Sequence, residues 1–298
     1  MPTNEERREA ARRRLEEQLE RQEQQAKRRR MLAIIASVTA AVLVIGAIVA
    51  VVLVNRKDKD SDSVASATET SADPFATPDA PPSEPPVDGA LPPFTPSANT
   101  GANCQYPARG EASKPNTPPR TGKVPTEPAQ VSVSMATNEG NLGLQLDNAK
   151  SPCTVNSFAS LAQQGYFNDT VCHRLTTTPG LSVLQCGDPT GTGTGGPGYE
   201  FANEYPTDQY PVGSPAAQSP VLYPRGTIAM ANAGPGTNGS QFFLVYQDSQ
   251  LPPQYTVFGT IDETGLATLD RIGAAGVAGG AGDGAPVDEV KITSIQLD

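Results

Sequence analysis

Residues 225–246, RGTIAMANAGPGTNGSQFFLVY, combine small residues, side-chain amides and two adjacent phenylalanines in one segment. The pattern predicts a strand at 227–230, a second strand at 241–246 and a loop between them. Small residues let the backbone of a ligand approach closely, amides hydrogen-bond a peptide, and an aromatic ring can form the floor of an apolar pocket. The segment therefore predicts a site that binds an extended peptide without a cofactor.

Further motifs accompany this segment along the chain. They are NSF at 156–158, QGYF at 164–167, CHR at 172–174, PG at 179–180, QCGD at 185–188 and YTVFG at 255–259. In this order, and across nearly all of residues 130–298, they resemble the cyclophilins, the cyclosporin-type peptidyl-prolyl isomerases. The likeness is greatest to the membrane-anchored cyclophilins of mycobacteria and related actinobacteria.

The resemblance implies catalysis of rotation about X–Pro peptide bonds. The barrier to this rotation is about 18–20 kcal/mol, because the nitrogen lone pair is delocalised into the carbonyl group. A fixed cation that donates a hydrogen bond near the prolyl nitrogen favours the twisted state, if water is kept away. This reaction needs no nucleophile, no metal and no cofactor.

Three residues are implied as catalytic. Arg174 supplies the cation, since it lies in the segment that resembles the catalytic strand of the family. Gln185 is expected to hydrogen-bond a substrate carbonyl, and Asn232 to bind the peptide main chain. His173 is the only histidine of the chain, and we assign it a structural role beside the arginine because isomerisation transfers no proton.

The proline ring needs an apolar pocket, and the resemblance places Phe243 at its floor. Its other implied substrate-binding residues are Val183, Leu251, Ala231, Ala233, Tyr255 and Gln241. The small side chains of Ala231 and Ala233 leave space along one wall, Tyr255 lies at the rim, and Gln241 supports the loop. Phe242 is expected in the core, because adjacent strand residues face opposite sides of a sheet.

Two departures from the family pattern affect rate and inhibitor binding. The family usually has an aromatic residue where this chain has Leu181 or Ser182, so we expect a thinner pocket wall and lower turnover. The chain has no tryptophan, and the residue that holds cyclosporin in many members is replaced by Gln250 or is absent. Weak cyclosporin binding is therefore expected.

Several short strands and two helices must position these residues. Strands are predicted at 130–136, 142–146, 170–176, 182–185, 257–261 and 289–297, and helices at 151–165 and 265–272. The first helix is expected to begin with Ser151 as its cap and Pro152 at its first position. The prediction is a mainly β fold, a closed antiparallel cyclophilin-like β-barrel capped by two α-helices.

Charge divides the chain unevenly. Residues 129–298 contain five Lys and Arg residues against fifteen Asp and Glu residues, and this excess equals the net charge of −10 for the whole chain. Such an acidic surface repels phosphate backbones, so nucleic-acid binding by this part is not expected.

The stretch at 31–54 is apolar and without charge, with basic residues on both sides. Its 24 residues would extend roughly 36 Å as a helix, enough to cross a bilayer core of about 30 Å. A cleaved signal peptide is the alternative, but its apolar region is usually shorter. The denser basic cluster precedes the stretch, which predicts a cytoplasmic N-terminus and an extracytoplasmic C-terminal domain.

Four regions follow from these patterns. Residues 1–30 form a charged cytoplasmic segment, residues 31–54 a transmembrane helix, residues 55–128 a Pro/Ser/Thr-rich linker, and residues 129–298 the isomerase domain. The linker has fifteen prolines, and such a composition predicts a disordered tether that holds the domain away from the membrane. Cys104 and Tyr106 suggest that its last part is fixed to the domain.

The four cysteines all follow the apolar stretch and favour two disulfides over catalytic thiols. Three pairings are possible. If residues 179–180 form a hairpin turn, Cys172 and Cys186 face each other, which leaves Cys104 for Cys153; four free thiols are the alternative. With one histidine and no close cysteine pair, no metal site is expected.

The sequence thus predicts a single-pass membrane protein that isomerises X–Pro bonds in exported polypeptides while they fold. One alternative is a non-catalytic chaperone or proline-peptide-binding module at the cell surface. Another is an interaction protein whose Pro-rich arm is the active part.

Overall fold

A computed structural model describes residues 89–298 of this chain. The predicted cytoplasmic segment, the predicted transmembrane helix at 31–54 and the first part of the predicted linker lie outside the described residues. Between residue 89 and residue 298, neither helix has the length and apolar character needed to cross a bilayer.

The described residues form a mainly β fold with two α-helices. The strands are β1 (Val131–Thr137), β2 (Gly140–Leu146), β3 (Thr170–Val171), β4 (Arg174–Thr176), β5 (Ser182–Cys186), β6 (Val221–Tyr223), β7 (Thr227–Met230), β8 (Phe242–Gln247), β9 (Ser249–Leu251), β10 (Val257–Ile261), β11 (Asp283–Gly284) and β12 (Lys291–Leu297). The helices are α1 (Pro152–Gln163) and α2 (Glu263–Ala275). Short 3-10 helices lie at Thr207–Gln209, Pro215–Gln218 and Ala278–Gly280.

Ten strands make one antiparallel sheet in the order β11-β4-β5-β8-β7-β10-β2-β1-β12-β3, and β6 pairs with β9 separately. Hydrogen bonding leaves this sheet open between β11 and β3, so the predicted closed barrel is corrected to a curled half-barrel. The strand predicted at 170–176 is interrupted at Cys172 and His173. Because only these two residues join β3 to β4, the sheet must curl until its two ends come close together.

The inner face of the curled sheet packs against α1. Val155, Phe158, Leu161 and Ala162, the predicted apolar stripe of this helix, are all buried. Phe158 contacts three further aromatic rings at centroid distances of 5.1–5.4 Å, those of Phe167, Phe242 and Phe258. This aromatic cluster fixes the helix on the sheet that carries the candidate site.

The start of α1 differs from the prediction. Pro152 occupies the first turn, but the hydroxyl of Ser151 donates to the carbonyl of Val257 and makes no capping bond. Glu204 takes the capping role, since its carboxylate accepts from the backbone N–H groups of Cys153 and Thr154 at 2.9 and 2.7 Å. An anionic group is favourable at a helix N-terminus. Burial raises the pKa of Glu204 to about 7 despite these bonds.

Residues 89–128 of the predicted linker lie against the rest of the domain, and we call them the arm. Cys104 is disulfide-bonded to Cys153 at the start of α1. Tyr106, which is buried, donates its hydroxyl to the carbonyl of Cys153 at 2.7 Å. Nearer the start of the arm, Phe94 packs edge-on against Tyr205. The arm is therefore part of the folded unit.

Candidate active site

One row of residues across the sheet carries the candidate site. Arg174 on β4 lies opposite Gln185 on β5, Gln185 lies opposite Phe243 on β8, and Phe243 lies opposite Ala229 on β7. Residues that are directly opposite one another in neighbouring strands share a face of the sheet. The register thus brings a cation, an amide and an aromatic ring side by side.

This row opens into a pocket of about 220 Å³, which we call the proline pocket. Its lining residues are Arg174, Leu181, Val183, Gln185, Ala231, Asn232, Phe243, Leu251 and Tyr255. Eight of these nine were predicted from the sequence. The two other predicted residues, Ala233 and Gln241, line an adjoining pocket of about 510 Å³ that also includes Gln185, Ala231 and Asn232.

The sequence analysis considered Leu181 in the pocket wall only as the place where the family has an aromatic residue, and did not include it among the substrate-binding residues. In the structure Leu181 lines the proline pocket and packs in the apolar cluster that also contains Val183. Residues two apart in an extended segment share a face. The alternation that predicts Val183 in the pocket could therefore have identified Leu181 as well.

The floor of the proline pocket is a supported aromatic ring. Phe243 is 5% exposed and meets the ring of Tyr255 edge-on at a centroid distance of 5.7 Å. Tyr223 packs from below and donates its hydroxyl to the carbonyl of Tyr255 at 3.0 Å. Phe242, which precedes Phe243 in the chain, faces the opposite side of the sheet and lies in the main core, as predicted. The floor is thus apolar and held from two sides.

Arg174 is held by an acidic partner that the sequence analysis did not identify. Its Nε donates to Oδ1 of Asp283 and its Nη2 to Oδ2, both at 2.7 Å. These hydrogen bonds raise the pKa of Arg174 further and lower the pKa of Asp283 below its usual range. Both groups therefore stay charged at neutral pH, and the guanidinium has a fixed orientation.

A chain of side-chain amides leads away from the arginine. Nη1 of Arg174 donates to Oε1 of Gln185 at 3.2 Å, and Nε2 of Gln185 donates to Oε1 of Gln241 at 2.9 Å. Nε2 of Gln241 then donates to the carbonyls of Gly193 and Gly195 at 3.0 and 2.9 Å. Because Arg174 can only donate, it fixes the direction of both amides.

The glycine-rich loop at the end of this chain is anchored by Asp188. Oδ2 of Asp188 accepts from the backbone N–H groups of Gly193 and Gly195 at 2.7 and 3.0 Å. Burial raises the pKa of this carboxyl, but the hydrogen bonds from the loop outweigh burial and lower it overall. Asp188 is therefore an anion that holds the loop which Gln241 contacts.

Asn232 presents its backbone to the pocket. Its side-chain Nδ2 donates to the carbonyl of Gln254 at 2.9 Å and to Oδ1 of Asn238 at 3.2 Å, and its Oδ1 accepts from the N–H of Gly234. Within residues 89–298 the backbone N–H and C=O of Asn232 make no hydrogen bond. The side chain thus holds the loop, and the free backbone groups can bind a peptide.

His173 does not line the proline pocket. Burial lowers its pKa, and although Asp188 opposes this change, Arg174 adds to it. Its Nδ1 has no hydrogen-bond partner in the part of the chain that the structure describes. A neutral imidazole outside the pocket fits the structural role given to it.

One of the two disulfides lies next to the site. Cys172 is bonded to Cys186, and Cys104 to Cys153, which is the pairing that the hairpin argument favoured. Cys172 is two residues before Arg174, and Cys186 directly follows Gln185. The disulfide between Cys172 and Cys186 therefore joins the end of β5 to the segment directly before β4, close to the cation and the first amide.

The comparisons with known proteins agree with this arrangement. The model of the family "Cyclophilin type peptidyl-prolyl cis-trans isomerase/CLD" matches residues 132–297. A Mycobacterium tuberculosis H37Rv protein named "Probable peptidyl-prolyl cis-trans isomerase B" is 71% identical over 209 residues, covering 70% of this chain and 68% of that protein. The protein of the same name in Mycobacterium leprae is 69% identical over 209 residues, covering 70% of this chain and 71% of that protein.

Among solved structures, the crystal structure of a Cryptosporidium parvum cyclophilin type peptidyl-prolyl cis-trans isomerase is 32% identical with a TM-score of 0.46, and the match covers 57% of this chain and 98% of that one. The family match extends over more than half of this chain, and the mycobacterial relatives share most of its length. The chain therefore belongs to the cyclophilin-type peptidyl-prolyl cis-trans isomerases.

Proposed function

We propose that this isomerase binds the proline ring of its substrate on Phe243 and lowers the rotation barrier with Arg174. The observation that carries the proposal is their arrangement in one sheet row, with Gln185 between them. A ring on the floor of this pocket has a fixed cation at one side and apolar side chains at the other. This is the combination that a twisted prolyl amide requires.

The mechanism follows from the electronic change during rotation. As the X–Pro bond twists, the prolyl nitrogen regains its lone pair and becomes a hydrogen-bond acceptor. Arg174 can donate to it only near the twisted state, so the interaction stabilises the transition state more than either planar isomer. The guanidinium is already oriented by Asp283 and Gln185, which reduces the cost of reorganisation.

The remaining polar groups would hold the peptide while one bond turns. Gln185 would contact a substrate carbonyl, and the free backbone groups of Asn232 would bind the peptide main chain. Ala231 has a small side chain beside them and leaves room for an extended backbone. Fixing the chain on both sides of the proline confines the rotation to the X–Pro bond.

The test compares the full-length chain with its Arg174→Ala variant in an isomerisation assay. We expect kcat/KM to fall about 100-fold or more, the usual cost of removing a preorganised donor. Arg174→Lys should fall nearly as far, since an ammonium group cannot reproduce the fork geometry of a guanidinium. Arg271→Ala, at an exposed arginine of α2, is the matched control and should keep full activity.

The same experiment separates the alternative of a non-catalytic peptide-binding module. Equal rates for the wild type and Arg174→Ala, with peptide binding intact in both, would remove the catalytic role of the arginine. Loss of rate with retained binding of a proline peptide would support it. Binding can be followed by the chemical shifts of residues around Phe243.

We also propose that the domain acts outside the cytoplasm, on exported polypeptides, and is attached to the membrane through residues 31–54. The uncharged apolar composition of that stretch supports the attachment, and two disulfides in the domain suit an oxidising compartment. Carbonate extraction of membranes should leave the chain in the pellet. External protease should then reach residues 89–298 in intact cells stripped of their wall.

Weak cyclosporin binding remains part of the proposal. The chain has no tryptophan, and Gln250 on β9 would meet the inhibitor instead. Titration of the isomerase with cyclosporin should give half-inhibition only at micromolar or higher concentration. Tight nanomolar inhibition would contradict this.

A further inference from the structure

A second pocket adjoins the proline pocket, and part of its wall comes from the arm. It measures about 510 Å³ and shares Gln185, Ala231 and Asn232 with the proline pocket. Its lining also includes residues 193–200 and, beside them, Arg109, Gly110, Glu111 and Ser113 of the arm. A peptide whose proline sits on Phe243 and which crosses Asn232 would therefore place a neighbouring side chain against the wall that the loop and the arm form together.

The arm is held in place at this pocket by backbone hydrogen bonds. The N–H of Arg109 donates to the carbonyl of Gly198 at 2.8 Å, and the N–H of Ser113 donates to the carbonyl of Gly196 at 2.9 Å. Gly195 allows the close approach, because a Cβ at this position would collide with the carboxylate of Asp188 and lie 2.8 Å from Oγ of Ser113. The wall is thus a fixed part of the pocket.

This wall is specific to the arm and does not come from the family fold. The family match begins at residue 132, whereas Arg109 and Glu111 precede it by about twenty residues. The disulfide between Cys104 and Cys153 attaches the arm to α1 just before it reaches the pocket. Part of the wall of this pocket therefore comes from residues that precede the family match.

The charges on the wall have a definite sign. Arg109 and Glu200 lie 3.6 Å apart and largely offset each other. Glu111 also lines the pocket, and no salt bridge to it is formed within residues 89–298. One uncompensated negative charge remains, among small residues, hydroxyls and amides. A lysine or arginine side chain complements this surface in charge.

We propose that the arm makes the isomerase selective for substrates with a basic side chain close to the proline, with Glu111 as the specificity-determining residue. This inference rests on the proposed function of the proline pocket. The expected preference is modest, about two- to fivefold in kcat/KM, because an exposed charge pair contributes little. It should decrease at 1 M salt, where the screening length is only about 3 Å.

The test uses the full-length chain and short peptides with one Ala-Pro bond. Lysine, glutamate or norleucine is placed at each position flanking this dipeptide, and isomerisation is measured by NMR exchange spectroscopy, which needs no coupling protease. We expect the lysine peptide of one flanking position to exceed the glutamate peptide by two- to fivefold in the wild type. Glu111→Gln should bring this ratio close to one.

Glu289→Gln is the matched control, because it removes the same charge from an exposed residue outside both pockets. It should leave the ratio unchanged. Equal rates for lysine and glutamate peptides at every position, or an equal effect of Glu289→Gln, would overturn the inference. The norleucine peptide separates the two claims, since its isomerisation by the wild type, lost in Arg174→Ala, supports the proposed function whatever the charge preference is.

Discussion

Arg174 and Asp283 form a two-point ion pair, with both N–O distances at 2.7 Å, although 109 residues separate them in the chain. The pair exists because β11 adds two residues to the edge of the sheet beside β4. It uses Nε and Nη2 of the guanidinium, and Nη1 turns to Gln185. The orientation of the candidate catalytic cation is therefore set by a residue outside the proline pocket.

Substitution Asp283→Asn should lower activity without unfolding the protein. Asparagine offers one acceptor in place of two and turns an N–H group toward the guanidinium, so Arg174 loses its orientation. We expect kcat to fall about tenfold with little change in KM, which corresponds to about 1.4 kcal/mol. The side chains of Arg174 and Asp283 are 39% and 50% exposed, respectively. An exposed ion pair contributes little to stability, so the melting temperature should change little.

Asp270→Asn provides the matched control for this prediction. Asp270 forms the same two-point pair with Arg225, at 2.7 and 2.9 Å, and its exposure is similar. The Asp270→Asn substitution should leave kcat unchanged. A similar loss of activity in both variants would mean that the effect of Asp283 is a general effect of charge.

The profile of kcat/KM against pH should be flat from about pH 6.5 to pH 8. Glu204, with a pKa of about 7, titrates in this range, but it caps α1 and lines neither pocket. Arg174 lowers the pKa of Asp283 below its usual 3.8, so the carboxylate stays charged over this range. Its contribution to stability is fully present above the unfolded-state pKa and is lost as the pH falls through the lowered folded pKa. The pKa of His173 lies below its usual 6.5, so this residue is neutral over the same range.

Measurement of kcat/KM against pH for the wild type and His173→Gln checks this prediction. The two profiles should coincide, because isomerisation transfers no proton. A sigmoidal step below pH 6.5 that disappears in His173→Gln would instead assign a proton-transfer or charge role to the histidine.

Gln241→Met should uncouple the glycine-rich loop from the arginine. Methionine has nearly the same size but leaves Nε2 of Gln185 and the carbonyls of Gly193 and Gly195 without their partner. We expect a three- to tenfold loss in kcat/KM, because the amide of Gln185 loses the acceptor that fixes its direction. Hydrogen exchange at residues 193–195 should become faster. Gln145→Met, at an exposed position of β2, should have neither effect.

Removal of the disulfide between Cys172 and Cys186 by a double alanine substitution should reduce both stability and activity. The bond closes a loop with a sequence separation of 14, which corresponds to about 3 kcal/mol in the chain-entropy model. Activity should decrease because the bond joins the segment directly before Arg174 to the residue that follows Gln185. Denaturant unfolding and isomerisation assays measure the two effects.

Removal of the other disulfide, Cys104 with Cys153, gives the comparison. Its separation of 49 predicts a larger loss of about 4 kcal/mol, but it does not touch the proline pocket. The rate at which this variant isomerises a norleucine peptide should stay close to the wild-type rate in native buffer. If both variants lost activity equally, the local role of the first disulfide would be excluded.

The sequence alone determined the features that arise from local patterns. The alternation and length of apolar residues placed β7 and β10 at their observed limits. The helical stripe of α1 gave its buried face, because the helical period fixes which residues point inward. Six of the nine residues that line the proline pocket lie in the continuous motifs described above, so the motifs alone were enough to predict them.

Tertiary structure alone decided the contacts between distant segments. Asp283 belongs to a two-residue strand in a stretch of glycine and alanine, where no period marks a pairing. Glu204 caps the helix that contains Thr154, which lies 50 residues earlier in the chain. The arm supplies a wall to a pocket whose other lining residues come much later in the chain. Such contacts depend on how the curled sheet brings its edges together, and loop closure over long separations leaves no local signal in the chain.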